Sequence, residues 1–204
     1  MYQKFWKRAL DILLSLTALI LLSPLLLLLT LLGAVVMRGN PFFTQLRPGL
    51  HEKPFRLIKF RSMSNLRDRD GTLLPDEKRL TGYGKFLRAA SLDELPELIN
   101  ILRGDMSLVG PRPLLMVYLD YYNESPRHRH DVRPGLTGLA QVHGRNASTW
   151  EERFQWDLRY VSEVSLKMDW SILLKTVSAV FRHEGIHAEN SATMEKFKGS
   201  DSSL

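Results

Sequence analysis

The segment from Ser91 to Pro113 reads SLDELPELINILRGDMSLVGPRP and sets two adjacent carboxylates before a short apolar helix. Apolar residues fall at the i, i+3, i+4 and i+7 spacing of one helix face: Leu95, Leu98, Ile99 and Leu102. Gly104 directly after Arg103 predicts the end of this helix, with a cation in the last turn where the helix dipole favours one.

The start of the helix has two interpretations. Ser91 with Glu94 three residues later matches a capping box, but Pro96 would then lie beyond the first turn and remove a backbone hydrogen bond. Asp93 as the N-cap places Pro96 where no intrahelical donor is lost, and we favour this register.

Asp93 and Glu94 lie, in either register, near backbone N–H groups and the positive end of the helix dipole, which predicts that both are ionised. Because consecutive helical residues diverge by about 100°, the two acids are able to serve different roles on one reactant. A helix cap beside a first-turn acid explains the pair equally well, so this segment alone leaves a structural and a functional interpretation open.

The composition of the 204-residue chain predicts one domain, with room for an appendage. The formal net charge of +6 at pH 7 points to an anionic partner: nucleic acid, an acidic lipid surface or a phosphorylated substrate. The chain contains no cysteine, which excludes disulfides, a thiol nucleophile and cysteine-ligated zinc.

Ile12–Val36 is a leucine-rich stretch without a charge, longer than the roughly 20 residues that a bilayer core requires. Ser23-Pro24 divides it, and proline removes a backbone donor, so we expect a kink there. Basic residues flank both ends: Lys4, Lys7 and Arg8 before, and Arg38, Arg47 and Lys53 after. Symmetric positive flanks favour a re-entrant hairpin with both ends on the cytoplasmic face. A kinked helix that crosses the bilayer is the alternative, and both interpretations attach the chain to a membrane.

Strands, a loop and a short helix are predicted between the apolar stretch and residue 122. Residues 42–44 and 55–61 have strand character on either side of a turn, with alternate side chains on one face. Ser64–Leu80 is polar and predicts a mobile loop, and Leu114–Tyr122 predicts a short apolar helix.

Two longer helices are predicted near the C-terminus. Ser148 with Glu151 forms a capping box for a helix that ends near Val164. Asp169 is expected to cap a second helix, Trp170–Arg182, with a broad apolar face. Aromatic residues suited either to a membrane headgroup region or to ordinary core packing occur here: Trp150, Trp156, Tyr160 and Trp170.

Basic residues in or beside turns are candidates for anion binding: Lys59, Arg61, Arg88, Arg112, Arg133 and Arg145. Arg112 is the most informative, because Pro111 and Pro113 restrict the backbone on both sides of one guanidinium. A rigid arginine suits bidentate recognition of phosphate. The sequence has neither a GxxxxGK[ST] loop nor a GxGxxG motif, so it supports neither P-loop nor Rossmann phosphate binding.

His183–His187 matches the HExxH zinc pattern, but Gly185 weakens a helix there. The run Arg127–His130 is also a poor metal site, because its arginines repel a cation. Carboxylates, confined arginines and a membrane segment together suggest phosphoryl chemistry at a lipid surface. An ionised aspartate is able to attack phosphorus, provided that Mg²⁺ and arginine spread the negative charge.

Four motifs carry a resemblance to a known family: 59–63 (KFRSM), 92–96 (LDELP), 104–113 (GDMSLVGPRP) and 133–138 (RPGLTG). With the Ser23-Pro24 break, they make the chain resemble the bacterial sugar transferases, specifically the small monotopic phosphoglycosyl transferases, over most of its length. The resemblance implies an α/β fold: a re-entrant membrane helix at 1–38, a compact cytosolic α/β catalytic domain with interfacial amphipathic helices at 39–187, and a polar tail at 188–204. It also implies a location on the cytoplasmic face of the bacterial inner membrane.

The reaction implied by the resemblance is transfer of a phosphosugar from a UDP-sugar to a polyprenol (undecaprenyl) phosphate, with release of UMP. Asp93 corresponds to a nucleophile that forms a covalent phosphosugar intermediate. Glu94 corresponds to its partner, which handles a proton or orients the acceptor. The implied cofactor is Mg²⁺, bound at the dyad with Asp93 as a ligand.

Substrate contacts are also implied by the resemblance. Arg88 is expected to neutralise phosphate, and six further residues are expected to contact substrate: Arg112, Lys59, Arg61, Arg133, Gln141 and Arg145. Glu97 and His143 depart from the family pattern, in which glutamine and asparagine are common. The implied partners are the two substrates and the bilayer, without nucleic acid and with a homo-oligomer left open. A membrane-tethered basic module for nucleic acid or acidic lipid is the alternative function.

Overall fold

The computed structural model describes residues 2–143 and 148–181, together with Phe197 and Gly199; for residues 180 and 181 it describes the backbone alone. The described chain is a mixed helix and sheet fold. Its α-helices are α1 (Lys7–Leu21), α2 (Ser23–Val36), α3 (Asp76–Arg79), α4 (Gly82–Ala89), α5 (Glu97–Arg103), α6 (Glu124–Arg127), α7 (Leu139–His143), α8 (Trp150–Glu163) and α9 (Leu166–Phe181).

Two small sheets accompany the helices. Strands β1 (Phe42–Pro48) and β2 (Pro54–Phe60) form an antiparallel hairpin, whereas β3 (Ser107–Val109) and β4 (Gly135–Thr137) pair in parallel. The predicted strand alternation is confirmed at the start of β2, where Phe55 and Leu57 are buried while Arg56 between them is exposed. The parallel pairing joins two motifs that lie far apart in the sequence.

The apolar stretch forms two helices with a bend of 65° between Tyr2–Leu21 and Ser23–Val36. Among the described residues no single helix is long and apolar enough to cross a membrane, while this bent pair meets the length and composition test. Pro24 lies in the first turn of α2, and Ser23 Oγ donates to the carbonyl of Ile20 at 2.7 Å. The predicted break at Ser23-Pro24 is therefore confirmed, and its cause is the missing proline donor.

Both bent helices pack against the rest of the fold. In α1, the buried carboxylate of Asp11 accepts hydrogen bonds from Ser107 Oγ at 2.8 Å and from the Leu108 N–H at 3.0 Å. In α2, the carbonyl of Leu29 accepts a hydrogen bond from Tyr83 Oη at 2.7 Å. The two arms of the bend thus return to the same α/β body.

The core places α5 between the hairpin and the parallel pair. One buried cluster joins β2, α5 and the turn that follows: Phe55, Leu57, Leu98, Ile101 and Met106. A second cluster joins β3 to the C-terminal helices: Val109, Val132, Leu139, Tyr160 and Ile172. Burial of these side chains fixes the position of α5, and the residues just before it carry the acidic pair.

The predicted start of α5 is wrong. The helix begins at Glu97 with Pro96 as its N-cap, and neither Ser91 nor Asp93 caps it. Residues 92–94 form a separate 3₁₀ turn, because proline cannot donate the next α-helical hydrogen bond. The predicted end is confirmed, since Gly104 terminates the helix with a left-handed φ of 93°.

The predicted caps of the last two helices are also wrong. Thr149 caps α8 in a reciprocal capping box with Glu152, one residue beyond the predicted pair. Helix α9 begins at Leu166, so Asp169 lies in its first turn and accepts hydrogen bonds from Lys7 and Tyr160 instead of capping it. Tertiary partners for the carboxylate outweighed the local capping preference.

Two segments have a secondary structure that differs from the predicted one. The predicted helix at 114–122 is a 3₁₀ helix, Met116–Tyr121. The predicted loop at 64–80 contains the single-turn helix α3, and Met63 forms an isolated antiparallel bridge with Leu80.

Candidate active site

The acidic pair lies on a strained turn. Ser91 adopts a left-handed conformation with φ 54°, uncommon for a residue other than glycine, and it leads directly into the 3₁₀ turn that carries Asp93 and Glu94. Backbone strain of this kind is concentrated at functional sites. Both carboxylates lie just before α5, not within its first turn, and burial and neighbouring charged side chains set their pKa values.

Glu94 is locked between two cations. Its Oε1 accepts a hydrogen bond from Arg112 Nη2 at 2.6 Å and another from Lys59 Nζ at 2.7 Å. Burial by itself would raise the pKa of Glu94, but Arg112 and Lys59 hold that pKa well below its usual range. Glu94 is therefore ionised, as expected, although the cause is the pair of cations and not the helix dipole.

Asp93 has a different environment. In the part of the chain that the structure describes, its half-buried carboxylate accepts no hydrogen bond and forms no ion pair. Burial and the neighbouring charge of Glu94 raise its pKa, against the opposing influence of Lys59, Arg88 and Arg112. The prediction that local backbone dipoles keep Asp93 ionised is not supported. A carboxylate without a protein partner is available to a substrate or a metal ion.

Glu97 adds a third carboxylate that the sequence only hinted at. It is 3% exposed, and its Oε1 lies 3.0 Å from Lys59 Nζ. Burial and the charge of Glu94 raise its pKa to about 7, although Lys59 acts in the opposite direction. Lys59 therefore lies between two buried carboxylates.

Arg112 is held rigidly, as its flanking prolines predict. Pro111 and Pro113 are buried, and Arg129 Nη2 donates to the Arg112 carbonyl at 2.9 Å. The Arg112 side chain keeps 45% of its surface exposed while it contacts Glu94. A fixed backbone under a partly exposed guanidinium suits an anion that arrives from solvent.

Asn100 fixes the strand that presents Lys59, and sequence reasoning missed it. The Asn100 side chain is fully buried; its Oδ1 accepts from the Ile58 N–H at 3.0 Å, and its Nδ2 donates to the Arg56 carbonyl at 2.7 Å. These bonds tie β2 to α5 on either side of Leu57. The available signal was an amide inside an apolar helix, because a buried amide needs partners.

Two further predicted cations lie near the turn. Arg88, in the last turn of α4, donates from Nε to Ser62 Oγ at 3.0 Å, and its charge opposes the rise in the pKa of Asp93. Arg61 directs its Nε to the carbonyl of Met63 at 3.1 Å. Arg88 therefore acts electrostatically on Asp93, whereas Arg61 is engaged by the backbone.

The remaining predicted contacts lie elsewhere. Arg133 donates to the carbonyl of Gly104, at the opposite end of α5 from the acidic pair. Gln141 donates to the carbonyl of Leu136 at 3.2 Å, and its buried Oε1 has no hydrogen-bond partner among the described residues. Arg145 lies outside the described residues.

Arg47 joins the site without having been predicted there. Burial and the nearby charge of Arg112 lower its pKa to about 10, and the charge of Glu97 acts in the opposite direction. Its Nε is buried without a hydrogen-bond partner among the described residues. We had assigned Arg47 to the membrane flank, and only the β1–β2 pairing brings it to the cluster.

The residues present are compatible with Mg²⁺ shared with a substrate. No group of three ligating His, Cys, Asp or Glu side chains occurs in the described ranges. Mg²⁺ is commonly held by one or two carboxylates together with substrate phosphates, and the Asp93 carboxylate, which has no ion-pair partner among the described residues, is able to serve as such a ligand.

Of the two histidine-containing segments that the sequence gives as poor zinc sites, the structure describes one. His183–His187 lies outside the described residues. In the basic run, Arg129 is buried in an ion pair with Asp157 at 2.6 Å, which gives this arginine a structural role.

The site has the composition of an enzyme centre for an anionic substrate: a free carboxylate, a locked carboxylate and a fixed arginine. Comparison with known proteins identifies the family. The model of the bacterial sugar transferase family matches residues 2–183, so the chain belongs to that family and is a phosphoglycosyl transferase.

Relatives from several bacteria share this similarity. The chain is 55% identical over 163 residues to an uncharacterized sugar transferase, EpsL, of Bacillus subtilis, covering 79% of this chain and 81% of that protein. It is 41% identical over 184 residues to a UDP-glucose:undecaprenyl-phosphate glucose-1-phosphate transferase of Caulobacter vibrioides, covering 85% and 69%. A Klebsiella pneumoniae protein with the same name is 39% identical over 182 residues, covering 84% of this chain but 39% of that protein.

Proposed function

We propose that this chain transfers a phosphosugar from a UDP-sugar to polyprenol phosphate through a covalent intermediate on Asp93. The observation that carries the proposal is the contrast within the acidic pair: among the described residues the Asp93 carboxylate has no hydrogen-bond or ion-pair partner, while Glu94 binds Arg112 and Lys59. The names of the Caulobacter and Klebsiella relatives support a nucleotide-sugar donor and an undecaprenyl phosphate acceptor.

In the first step, a carboxylate oxygen of Asp93 attacks the sugar-bearing phosphorus of the donor. An oxygen–phosphorus bond forms between Asp93 and this phosphorus, the bond from the same phosphorus to the oxygen that bridges the two phosphates breaks, and UMP departs with the bridging oxygen. In the second step, a phosphate oxygen of the acceptor attacks the same phosphorus and releases Asp93 as a carboxylate. The product is a polyprenyl diphosphate-linked sugar, and splitting the transfer in two lowers each barrier.

Glu94 acts in this proposal through the cations that it holds. Because its pKa lies far below neutrality, Glu94 keeps its charge and fixes Arg112 and Lys59 beside the attacking oxygen. The two cations spread the charge that accumulates when two anions react. This geometry supports a role for Glu94 in positioning these cations, which differs from the predicted roles of handling a proton or orienting the acceptor. Asp93 and the donor diphosphate would hold Mg²⁺, which would supply further charge neutralisation.

We further propose a re-entrant membrane hairpin with the catalytic body on the cytoplasmic face. At about 1.5 Å per residue, the 15 residues of α1 and 14 of α2 span about 21–23 Å each, shorter than a bilayer core of about 30 Å. Leucines are exposed around the bend, while Asp11 and Leu29 return to the same body. Both ends of the hairpin then lie on one side of the membrane.

The intermediate is tested by mass spectrometry of the purified protein incubated with UDP-sugar and Mg²⁺ alone. We expect the mass of one sugar phosphate to be added, on the peptide that contains Asp93, and we expect Asp93→Asn to prevent it. UMP release without any adduct, even after rapid acid quenching, would contradict the covalent mechanism. A panel of UDP-sugars then identifies the donor.

The hairpin is tested with Pro24→Ala, which removes the break and restores a backbone donor. We expect a straighter helix that moves the N-terminus across the membrane, measured by labelling a residue placed before Tyr2 with an impermeant reagent. An N-terminus that stays cytoplasmic would show that proline alone does not set the topology.

A further inference from the structure

Lys59 is shared unequally between two acids. Its Nζ lies 2.7 Å from Glu94 Oε1 in a hydrogen bond, and 3.0 Å from Glu97 Oε1. The Glu97 side chain is almost fully buried, and Lys59 is its only ion-pair partner among the described residues. A change of charge on Glu97 would therefore alter how much of the Lys59 ammonium is available to Glu94.

The charges that face Glu97 come from every part of the site. Lys59 lies on β2, Arg47 on β1, Arg112 on the segment after β3, and Glu94 on the 3₁₀ turn. These three cations already serve two carboxylates, Glu94 and Glu97, before any substrate arrives. A donor diphosphate adds negative charge to the same cations.

We infer that Glu97 is a positioning residue that competes with Glu94 for the Lys59 ammonium and takes up one proton when the anionic donor binds. The inference rests on the proposed function, because the donor is the anion that enters the site. Protonation forms one O–H bond with a proton from solvent. Lys59 and Arg112 are then left to Glu94 and the donor phosphates.

The proton uptake is compatible with the environment of the carboxyl. Burial and Glu94 bring the pKa of Glu97 to about 7 in the free protein, so a proton is gained near neutral pH at little cost. Above that pH, protonation of Glu97 on donor binding costs more free energy because the proton concentration is lower. If Glu97 stays ionised instead, the site holds an extra buried negative charge. Donor affinity is therefore expected to fall as the pH rises through 7.

Donor KM between pH 6 and pH 8 tests the inference, measured as UMP release with saturating polyprenol phosphate and Mg²⁺. Both phosphates of a UDP-sugar stay fully ionised in this interval, so the donor itself does not titrate. We expect the wild-type KM to rise by up to about tenfold and the KM of Glu97→Gln to stay nearly constant. Glu163→Gln, which changes an exposed glutamate on α8, is the matched control and should follow the wild type.

Thermal stability gives a second readout that requires no catalysis. Folding raises the pKa of Glu97 from 4.5 to about 7, so its contribution to stability is complete below pH 4.5 and is lost as the pH rises to 7. The Tm of Glu97→Gln should therefore increase relative to the wild type across this interval and show a constant difference above it. Glu163→Gln should show no such change.

The outcomes separate the two proposals. If the wild type and Glu97→Gln are both active and their donor KM values have the same pH dependence, the inference is overturned and the proposed function stands. A Tm difference that does not vary with pH would also overturn it. No UMP release by the wild type from any UDP-sugar at any pH would overturn the proposed function and the inference together.

Discussion

The two ends of α5 both attract arginines but use them differently. At the N-terminal end, Arg112 binds the Glu94 carboxylate and keeps nearly half of its side chain exposed. At the C-terminal end, Arg8 donates to the carbonyls of Ile101 and Leu102, and Arg133 donates to that of Gly104. Seven residues, about 10 Å of helix, separate an end with a partly exposed arginine from an end whose carbonyls are hydrogen-bonded by the protein's own arginines.

The contrast shows that an arginine inside a motif does not by itself indicate phosphate binding. The last carbonyls of a helix lack intrahelical partners and are negative, so they attract guanidinium groups as a phosphate does. Arg112 donates to the side-chain carboxylate of Glu94 and remains partly exposed to solvent. The Nε of Arg133 donates instead to a backbone carbonyl. The identity of the acceptor distinguishes a site residue from a structural one.

Removal of the nucleophile should have the largest effect. Asp93→Asn is expected to lower phosphosugar transfer by at least about 10⁴-fold while the fold and membrane association persist, because no other carboxylate near the turn lacks a cation partner among the described residues. Transfer assays together with Tm measurements check this. Near-normal turnover would remove Asp93 from the nucleophile role.

Loss of the locked carboxylate should come next. Glu94→Gln is expected to reduce kcat by roughly 10²–10³-fold, because Arg112 and Lys59 lose the charge that positions them. Single-turnover measurements of adduct formation separate this effect from acceptor binding. A normal rate of adduct formation would place Glu94 in the second step alone.

A moderate effect is expected at the cation that sequence reasoning missed. Arg47→Gln should raise the donor KM about tenfold, equivalent to about 1.4 kcal/mol, because a half-buried positive charge near Arg112 is removed. Arg38→Gln, at the end of α2, is the matched control. Equal KM values for both variants would exclude Arg47 from the donor site.

The smallest effect on chemistry is expected at the opposite end of α5. Arg133→Gln should lower stability by about 1 kcal/mol through the lost hydrogen bond to Gly104. Transfer per folded molecule should remain within about twofold of the wild type. Denaturation and kinetics on the same preparation check both values. A large rise in donor KM without loss of stability would contradict the contrast between the two ends.

Local patterns predicted several features correctly. The proline break at Ser23-Pro24, the end of α5 at Gly104 and the rigidity of Arg112 follow from backbone chemistry, which depends on a few neighbouring residues. The starts of α5, α8 and α9 were wrong by one to four residues. Several side chains nearby were able to cap, and a tertiary partner selected among them, as it did for Asp169.

The composition of the site was only partly predictable. The sequence singles out Lys59, Glu94 and Arg112, and the structure brings these three side chains together. Arg47 was not predicted there, because its approach depends on the pairing of β1 with β2. Arg133 belongs to the 133–138 motif, whose backbone pairs with β3 instead of reaching the acidic turn. Sequence spacing gives no information on such long-range pairing.

Covalent chemistry and short-range sterics in the chain fixed the acidic pair, the proline-flanked arginine and the broken apolar segment, because these properties need no distant partner. Long-range packing assigned the charges. It left Asp93 without a hydrogen-bond or ion-pair partner in the part of the chain that the structure describes, enclosed Glu94 between two cations and placed the buried Glu97 beside Lys59. The physical reason is that burial and the distance between charges set electrostatic energies, and both arise from residues remote in sequence.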